Sequence, residues 1–289
     1  NIRQIASILG HLRQNDLIAT DQIVEMGAGR GMTGLIVAGA AAASSSRKVN
    51  LHLIERAGTR AKAETKIRTA DSSKNSKDDC LRLDLVDVAR VKCDLAHVDM
   101  SKVLPLSNSM KTVVIAKHLC GAGTDLALKS LRNIQSIIDG CVMATCCHGL
   151  CTWTDYVGRN CLLRLFHSEV AGLSTSFGEK EFNLLRRWTS ASVLEDNIKP
   201  DSTTNGDEVK KEHKVDSTEE DKGKYLKNIT AVVKGAGLGC GPKGLGRACQ
   251  RLIDHGRCEY MRKNLFSSAN DSDSSSSDRS LKVTMKHYV

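Results

Sequence analysis

The chain has 289 residues, enough for one large domain with appendages, and 40% of them are hydrophobic, enough for a real core. Its 42 Lys+Arg against 33 Asp+Glu give a formal charge of +9. No run approaches the roughly 18–20 apolar residues of a membrane span, no signal-peptide pattern follows Asn1, and the 11 cysteines lack secretory context, so a cytoplasmic or nuclear protein with reduced thiols is expected rather than a secreted disulfide framework.

Residues 1–19 read as a helix, with Ile5, Ile8, Leu9 and Leu12 at helical spacing. Ile23–Met26 is a short apolar run ending in a glycine-rich turn, the first strand. Thr33–Ala43 follows as a helix of small residues, and Val49–Ile54 as a second strand ending at Glu55. Ala57–Thr69 reads as a helix and 70–79 as a polar loop. Val91–Cys93 is the expected third strand, Thr112–Ala116 the fourth, Asp125–Ile134 a helix and Cys141–Cys146 the fifth strand. Strands alternating with helices indicate a parallel sheet covered on both faces.

The charge is uneven. Residues 196–228 hold nine acids and seven lysines and almost no large apolar groups, so they are expected to be a disordered insertion. The rest carries 35 basic and 24 acidic side chains, a balance that suits a polyanionic partner. The Ser/Asp-rich 267–280 reads as low complexity, Arg247–Asp254 as a helix, and Leu281–Val289 as a closing strand. The expected division is a catalytic domain over 1–195, the charged insertion 196–228, and a C-terminal part of the same domain over 229–289.

The strongest local signal is Glu25-Met26-Gly27-Ala28-Gly29-Arg30-Gly31. Glycines at 27, 29 and 31 permit a tight turn and close approach of a ligand to the backbone, and the helix that follows favours a negative group at its N-terminus. Gly29, Gly31 and Gly34 also match the dinucleotide pattern G-x-G-x-x-G. The acid decides between them: Glu25 precedes the glycines, as in methyltransferases, where it can accept from a network reaching the cofactor's amino-acid end. Glu55 is placed to accept from ribose hydroxyls. Asp94, just after the third strand, is a candidate for the adenine end and equally a strand-end turn residue. The cofactor set is therefore Glu25, Gly27, Ala28, Gly29, Gly31, Glu55 and Asp94.

A second cluster follows the fourth and fifth strands: Lys117-His118-Leu119-Cys120-Gly121 with Asp125, and Cys146-Cys147-His148-Gly149-Leu150-Cys151. In a doubly wound sheet these loops converge beside the cofactor. Three readings stand. The first is catalytic, with Lys117, His118, Asp125 and His148 as candidates for the base that a weakly nucleophilic hydroxyl needs. The second is zinc binding by Cys146, Cys147, His148 and Cys151, whose spacing lacks paired C-x-x-C elements. The third is structural, with packed thiols. The catalytic reading is taken for Lys117-His118, and no metal site is assigned.

These motifs carry a resemblance. Val24–Gly31, Ala116–Gly121 with Thr124–Leu128, Cys146-Cys147-His148, Cys151, Trp153, Tyr156–Gly158, Phe177–Phe182 and Arg251–Arg257 together resemble the tRNA acceptor-stem ribose 2′-O-methyltransferase family. The resemblance implies a Rossmann-like fold with helical, partly disordered C-terminal additions. It also implies S-adenosylmethionine as cofactor, tRNA as partner, and methyl transfer to a ribose 2′-hydroxyl near the tRNA 5′ end. The family carries small zinc-finger modules ahead of its catalytic domain, and these 289 residues match the catalytic part. Where the family shows a second His, a basic residue and an Asp, this chain has Gly149, Leu150 and Thr152. The alternatives are an RNA-binding module descended from such an enzyme, and a methyltransferase of proteins or small molecules. With 3% aromatic residues, RNA would be gripped through phosphates and shape rather than stacked bases.

Overall fold

The computed structural model describes residues 2–58, 62–68, 80–105, 107, 109–167, 177–193 and 241–266. The expected loop 70–79, the charged segment 196–228, the low-complexity stretch 267–280 and the closing strand Leu281–Val289 lie outside the described residues.

Five parallel strands form one sheet in the order β3-β2-β1-β4-β5. They are β1 (Gln22–Met26), β2 (Val49–Glu55), β3 (Val86–Lys92), β4 (Thr112–Lys117) and β5 (Ile138–Ala144). Strand order reverses between β1 and β4, which pair in register from Gln22↔Thr112 to Met26↔Ala116. That reversal opens a crevice at the carboxyl ends of the two strands, where folds of this kind bind ligands. The fold is thus the expected α/β, Rossmann-like sheet.

The helices are α1 (Ile2–Gln14), α2 (Met32–Ser45), α3 (Lys62–Arg68), α4 (Met100–Val103), α5 (Gly123–Ser130), α6 (Arg159–His167), α7 (Glu179–Trp188) and α8 (Gly241–Asn264). One face of the sheet packs Ile8 and Leu12 of α1 and Leu35, Val37, Ala38, Ala41 and Ala42 of α2 against Ile23, Leu51, Leu53 and Ile115. The other buries Val24, Met26, Ile54, Val114 and Ala116 beneath Met100, Leu128 and the turn Leu131–Ile137. A third apolar centre joins Cys151, Tyr156, Leu162, Phe177, Phe182 and Ile253. Tyr156 and Phe182 stack there at 4.8 Å between ring centroids, so much of the sparse aromatic material is spent on this one core.

Several boundaries differ from the sequence reading: α1 ends at Gln14, well short of residue 19, α3 starts after Gly58 rather than at Ala57, and β5 ends at Ala144 rather than Cys146; three further differences have a clear cause. The third strand starts at Val86, not Val91. Its residues alternate in burial as an edge strand does, and that period of two runs back through Val86-Asp87-Val88. The fifth strand starts at Ile138, although Asp139-Gly140 reads as a turn. A Cβ at Gly140 would lie 2.3 Å from Leu17 Cδ1, so the glycine serves close packing inside a strand. The last helix runs from Gly241 to Asn264, far beyond Arg247–Asp254. Pro242 suits its first turn, and a Cβ at Gly246 would lie 2.3 Å from the Ser192 amide. Tertiary packing overrides the low helix propensity of its glycines.

Candidate active site

The loop between β1 and α2 is built by left-handed backbone. Gly27, Gly29 and Gly31 have φ of 67°, 51° and 74°, conformations that cost other residues energy. The three differ in what surrounds them. A Cβ at Gly31 would lie 2.6 Å from Leu53 Cδ1 and 3.0 Å from Ala63 Cβ, and one at Gly27 would lie 2.3 Å from Leu119 Cδ2. A Cβ at Gly29 would meet no atom of the described residues within 4 Å. Among the described residues Gly29 therefore presents bare backbone beside the ends of β2 and β3, while its neighbours are packed in place.

Two acids hold this loop. The Gly34 amide donates to Glu25 Oε2 at 2.8 Å, tying the end of β1 to the first turn of α2. The approach requires glycine, because a Cβ at Gly34 would lie 2.7 Å from that oxygen. Glu25 is buried, and burial pushes its carboxyl up to about 7. The Gly34 amide, the Thr33 hydroxyl and the charges of Lys117 and Arg90 work in the opposite direction. Glu55, at the end of β2, accepts from the Gly29 amide at 2.8 Å and from the Ala57 amide at 2.7 Å. The structure thus brings Glu25, Gly27, Ala28, Gly29, Gly31 and Glu55 around one loop. Asp94 lies apart from these contacts. Its carboxylate accepts from the Ala96 amide at 3.0 Å and faces Arg56 at 3.5 Å, and the Ala96 amide holds it below the usual carboxylate range.

Sequence reasoning missed Arg90. From β3 its Nη1 donates to the Gly29 carbonyl at 2.8 Å, and its Nε donates to Glu64 of α3 at 2.5 Å. The alternation through Val86–Lys92 is the signal that places it.

The β4 loop carries the exposed chemistry. Lys117 is half-buried at the strand end. His118 is exposed and has φ 59°, a left-handed conformation that costs a non-glycine residue about 1–3 kcal/mol and concentrates at functional sites. Its Nε2 lies 3.1 Å from Gln4 Oε1 on α1. Leu119 turns inward and covers Gly27, so this loop and the glycine loop pack against each other.

The other two catalytic candidates sit differently. Asp125 is fully buried and takes a two-pronged contact from Arg257, with Nη2 to Oδ2 at 2.6 Å and Nε to Oδ1 at 3.2 Å. Arg257 also donates to Asp254 Oδ1 at 3.0 Å and to Cys151 Sγ at 3.0 Å. His148 is buried, with Nε2 2.8 Å from Asp254 Oδ2 and Nδ1 2.9 Å from the Cys146 carbonyl. Both of its nitrogens face oxygens. Thr145 completes the network through a 2.9 Å donation to Asp254.

Burial works to raise the Asp254 carboxyl, and the hydrogen bond from His148 with the charges of His148 and Arg257 more than reverses it. Burial likewise opposes the Arg257 charge, and Asp125 outweighs it, leaving the guanidinium well above its usual value. Asp125 and His148 therefore face α8 rather than solvent, and lock the β4 and β5 loops to that helix. Asp254 and Arg257, which do this, were assigned no role from sequence.

The three residues that depart from the family pattern serve locally. The Gly149 carbonyl accepts from Arg186 at 2.8 Å, Thr152 donates to Asp155 at 2.8 Å, and Leu150 is 61% exposed. The zinc grouping considered from sequence does not form. His148 and Cys151 are engaged by Asp254 and Arg257, and the thiols that converge are those of Cys120, Cys146 and Cys147. No helix among the described residues is long and apolar enough to cross a membrane.

Comparison with known proteins identifies the family. The family model described as Methyltransferase TRM13 matches residues 3–272. A human protein named tRNA:m(4)X modification enzyme TRM13 homolog is 27% identical, over 93% of this chain and 60% of its own length. The mouse protein of the same name is 26% identical, with the same coverage. The Saccharomyces cerevisiae protein named tRNA:m(4)X modification enzyme TRM13 is 30% identical over 51% of this chain and 34% of its own length. The chain thus spans 60% of the length of the human and mouse relatives. No solved structure matches it significantly.

Proposed function

The chain belongs to the methyltransferase TRM13 family, and on that premise we propose that it transfers a methyl group from S-adenosylmethionine to a ribose 2′-hydroxyl near the 5′ end of tRNA, in the acceptor stem. The carrying observation is the backbone of Gly29, with no described atom against the side where a Cβ would point and with its amide held by the Glu55 carboxylate at the end of β2. That pairing suits a nucleoside ligand, whose ribose hydroxyls can replace the Gly29 amide as donors to Glu55 while its flat body lies against bare backbone. When bound there, S-adenosylmethionine supplies an electrophilic methyl group.

The protein's part is to hold and orient. Gly27 to Gly31 shape the floor, Arg90 and Glu55 fix it through the carbonyl and amide of Gly29, and Glu25 anchors α2 behind it. Bringing a hydroxyl in line with the methyl group supplies much of the acceleration in such a transfer. His118 is the residue placed to take the hydroxyl proton, because its ring is exposed beside the crevice, whereas the rings and carboxylates of His148 and Asp125 are engaged with α8. Asp125 and His148 act on the reaction through the loops they position. Basic side chains would bind tRNA phosphates, which fix register without reading a base.

The test is methylation of a tRNA pool with labelled cofactor, followed by alkaline hydrolysis. A 2′-O-methyl group blocks cleavage of its own phosphodiester, so the label should appear in an alkali-stable dinucleotide. Label in mononucleotides would place the methyl on a base. Affinity for S-adenosylhomocysteine without any transfer to tRNA would favour the RNA-binding alternative.

A further inference from the structure

The β4 and β5 loops bring three thiols together. Cys120 Sγ lies 3.1 Å from Cys147 Sγ and 3.9 Å from Cys146 Sγ, and Cys146 and Cys147 are 3.5 Å apart. The convergence is built into the backbone. Cys120 sits in a turn between two left-handed residues, His118 at φ 59° and Gly121 at φ 63°, closed by donation of the Gly123 amide to the Cys120 carbonyl at 3.1 Å. That turn carries Cys120 back over the end of β5. On the other side His148 faces the Cys146 carbonyl at 2.9 Å and is itself held by Asp254, so the Cys146-Cys147 pair is fixed from beneath.

We propose that Cys120, Cys146 and Cys147 form a three-thiolate site for a thiophilic divalent cation, Zn²⁺ by chemistry, with its fourth position on the solvent side. Zinc–thiolate bonds of about 2.3 Å place the sulfurs of a tetrahedral site about 3.8 Å apart; two of the distances found here, 3.5 and 3.9 Å, bracket that spacing, and the third, 3.1 Å, is shorter by about 0.7 Å. No thiol must move by more than a fraction of an ångström.

A disulfide accounts for the geometry less well. It would join two of the sulfurs and leave a third in contact, whereas a cation uses all three. Three protein ligands and an open fourth position is the pattern of zinc sites that bind a further ligand, as opposed to closed structural sites. Cys120 is exposed while Cys146 and Cys147 are half-buried, which puts the open position toward solvent. Loading is balanced by protons: three thiols bind one Zn²⁺ and release three H⁺, leaving a site of net charge −1. Because loading releases these protons, it strengthens as pH rises. A cation here would pin the β4 loop, which carries Lys117 and His118, to the β5 loop.

The test is metal content. The 289-residue chain, reduced and loaded with Zn²⁺ and then freed of loosely held metal, should retain about one zinc. Cys120→Ser and Cys147→Ser should each lose it, while Cys80→Ser, at an exposed thiol elsewhere, should keep it. Co²⁺ in place of zinc should give the intense visible bands of a tetrahedral ion with thiolate charge transfer, and Cys120→Ser should remove them. Circular dichroism of Cys120→Ser, a change at an exposed side chain, separates loss of the site from loss of the fold. The proposal is overturned if the folded chain retains no zinc while thiol titration shows all three cysteines reduced. Retention of the full complement by Cys120→Ser, or a Cys120–Cys147 disulfide that no reductant converts to a zinc-binding form, would also overturn it.

Discussion

Glu25 makes the sharpest test of how the glycine loop is held. Its side chain is buried, and burial carries its carboxyl from an ordinary value of 4.5 to about 7. The folded protein therefore keeps a proton on Glu25 across a pH range where the unfolded chain has released it. A raised acid gives its full stability below pH 4.5, and that stability is lost as pH rises through about 7. Each unit of displacement is worth about 1.4 kcal/mol, so the cost of the ionised form reaches about 3 kcal/mol above pH 8. Glu25→Gln keeps an oxygen to accept from the Gly34 amide and cannot ionise. Urea unfolding of wild type and variant at pH 5 and pH 8.5 should give a difference that grows with pH. It should rise from under about 1 kcal/mol to about 3 kcal/mol in favour of the variant. Other titrating groups cancel in the comparison. A difference independent of pH, or a variant less stable at pH 8.5, would refute the burial argument. The same raised carboxyl makes a further demand on the proposed function. A ligand cation brought near Glu25 favours its ionised form, so S-adenosylmethionine should release a proton on binding near neutral pH. Calorimetry in buffers of different ionisation enthalpy reads that release.

Four other changes separate fold from function. Gly29→Ala adds a Cβ that meets no protein atom, so it should cost about 1 kcal/mol of left-handed strain yet abolish cofactor binding, whereas Gly31→Ala, crowded by Leu53 and Ala63, should destabilise more; equal losses of melting temperature would refute the distinction. His118→Ala should lower turnover about 100-fold with cofactor affinity unchanged, and His118→Gly should be equally slow but more stable because φ 59° suits glycine; wild-type turnover in both would remove His118 from the chemistry. Arg257→Met strands the buried Asp125 and Asp254 carboxylates and should cost about 3–5 kcal/mol in chemical unfolding; a loss under about 1 kcal/mol would mean the pair is relieved by water. His52 has both ring nitrogens buried without a hydrogen-bond partner among the described residues, and burial holds its pKa below 6.5. The unfolded chain therefore binds the extra proton as pH falls below about 6.5, and stability drops there. His52→Leu should raise stability by about 1–3 kcal/mol and flatten that acid limb, a result checked by melting curves at pH 5 and pH 7.

The sheet was legible because a parallel strand buried on both faces leaves a compact apolar run, as Ile23–Met26 and Thr112–Ala116 do. The glycine loop was legible because three left-handed residues in five positions demand glycines. What escaped was information carried by distant partners. Asp125 and Arg257 are separated by 132 positions, and no local pattern says that one neutralises the other. Read alone, a carboxylate opening a helix beside a candidate active site is a plausible base. Arg90 escaped for a different reason: an edge strand shows apolar residues only at every second position, so a reading that sought a continuous run began it at Val91, five residues late and just past Arg90.

The division of the strand-end cluster into exposed and buried members follows from where α8 supplies opposite charge. A buried carboxylate or imidazolium is tolerable only with a partner. Asp254 and Arg257, one turn apart on α8, provide partners for His148 and Asp125 and for each other. Lys117, His118 and Cys120 lie on the same β4 loop but on the side this helix does not cover, and two of these three are exposed. The helix thereby fixes the root of each loop and leaves His118 and Cys120 exposed. A buried ion network is poor at adding stability and good at specifying one arrangement, and specification is what a transfer reaction needs, since a misplacement of about 1 Å can cost roughly 100-fold in rate. The loops that carry the proposed chemistry are thus held by residues more than 100 positions later in the chain, so the sheet alone, whose five described strands end at Ala144, would present the same side chains without the α8 contacts that fix where those loops lie.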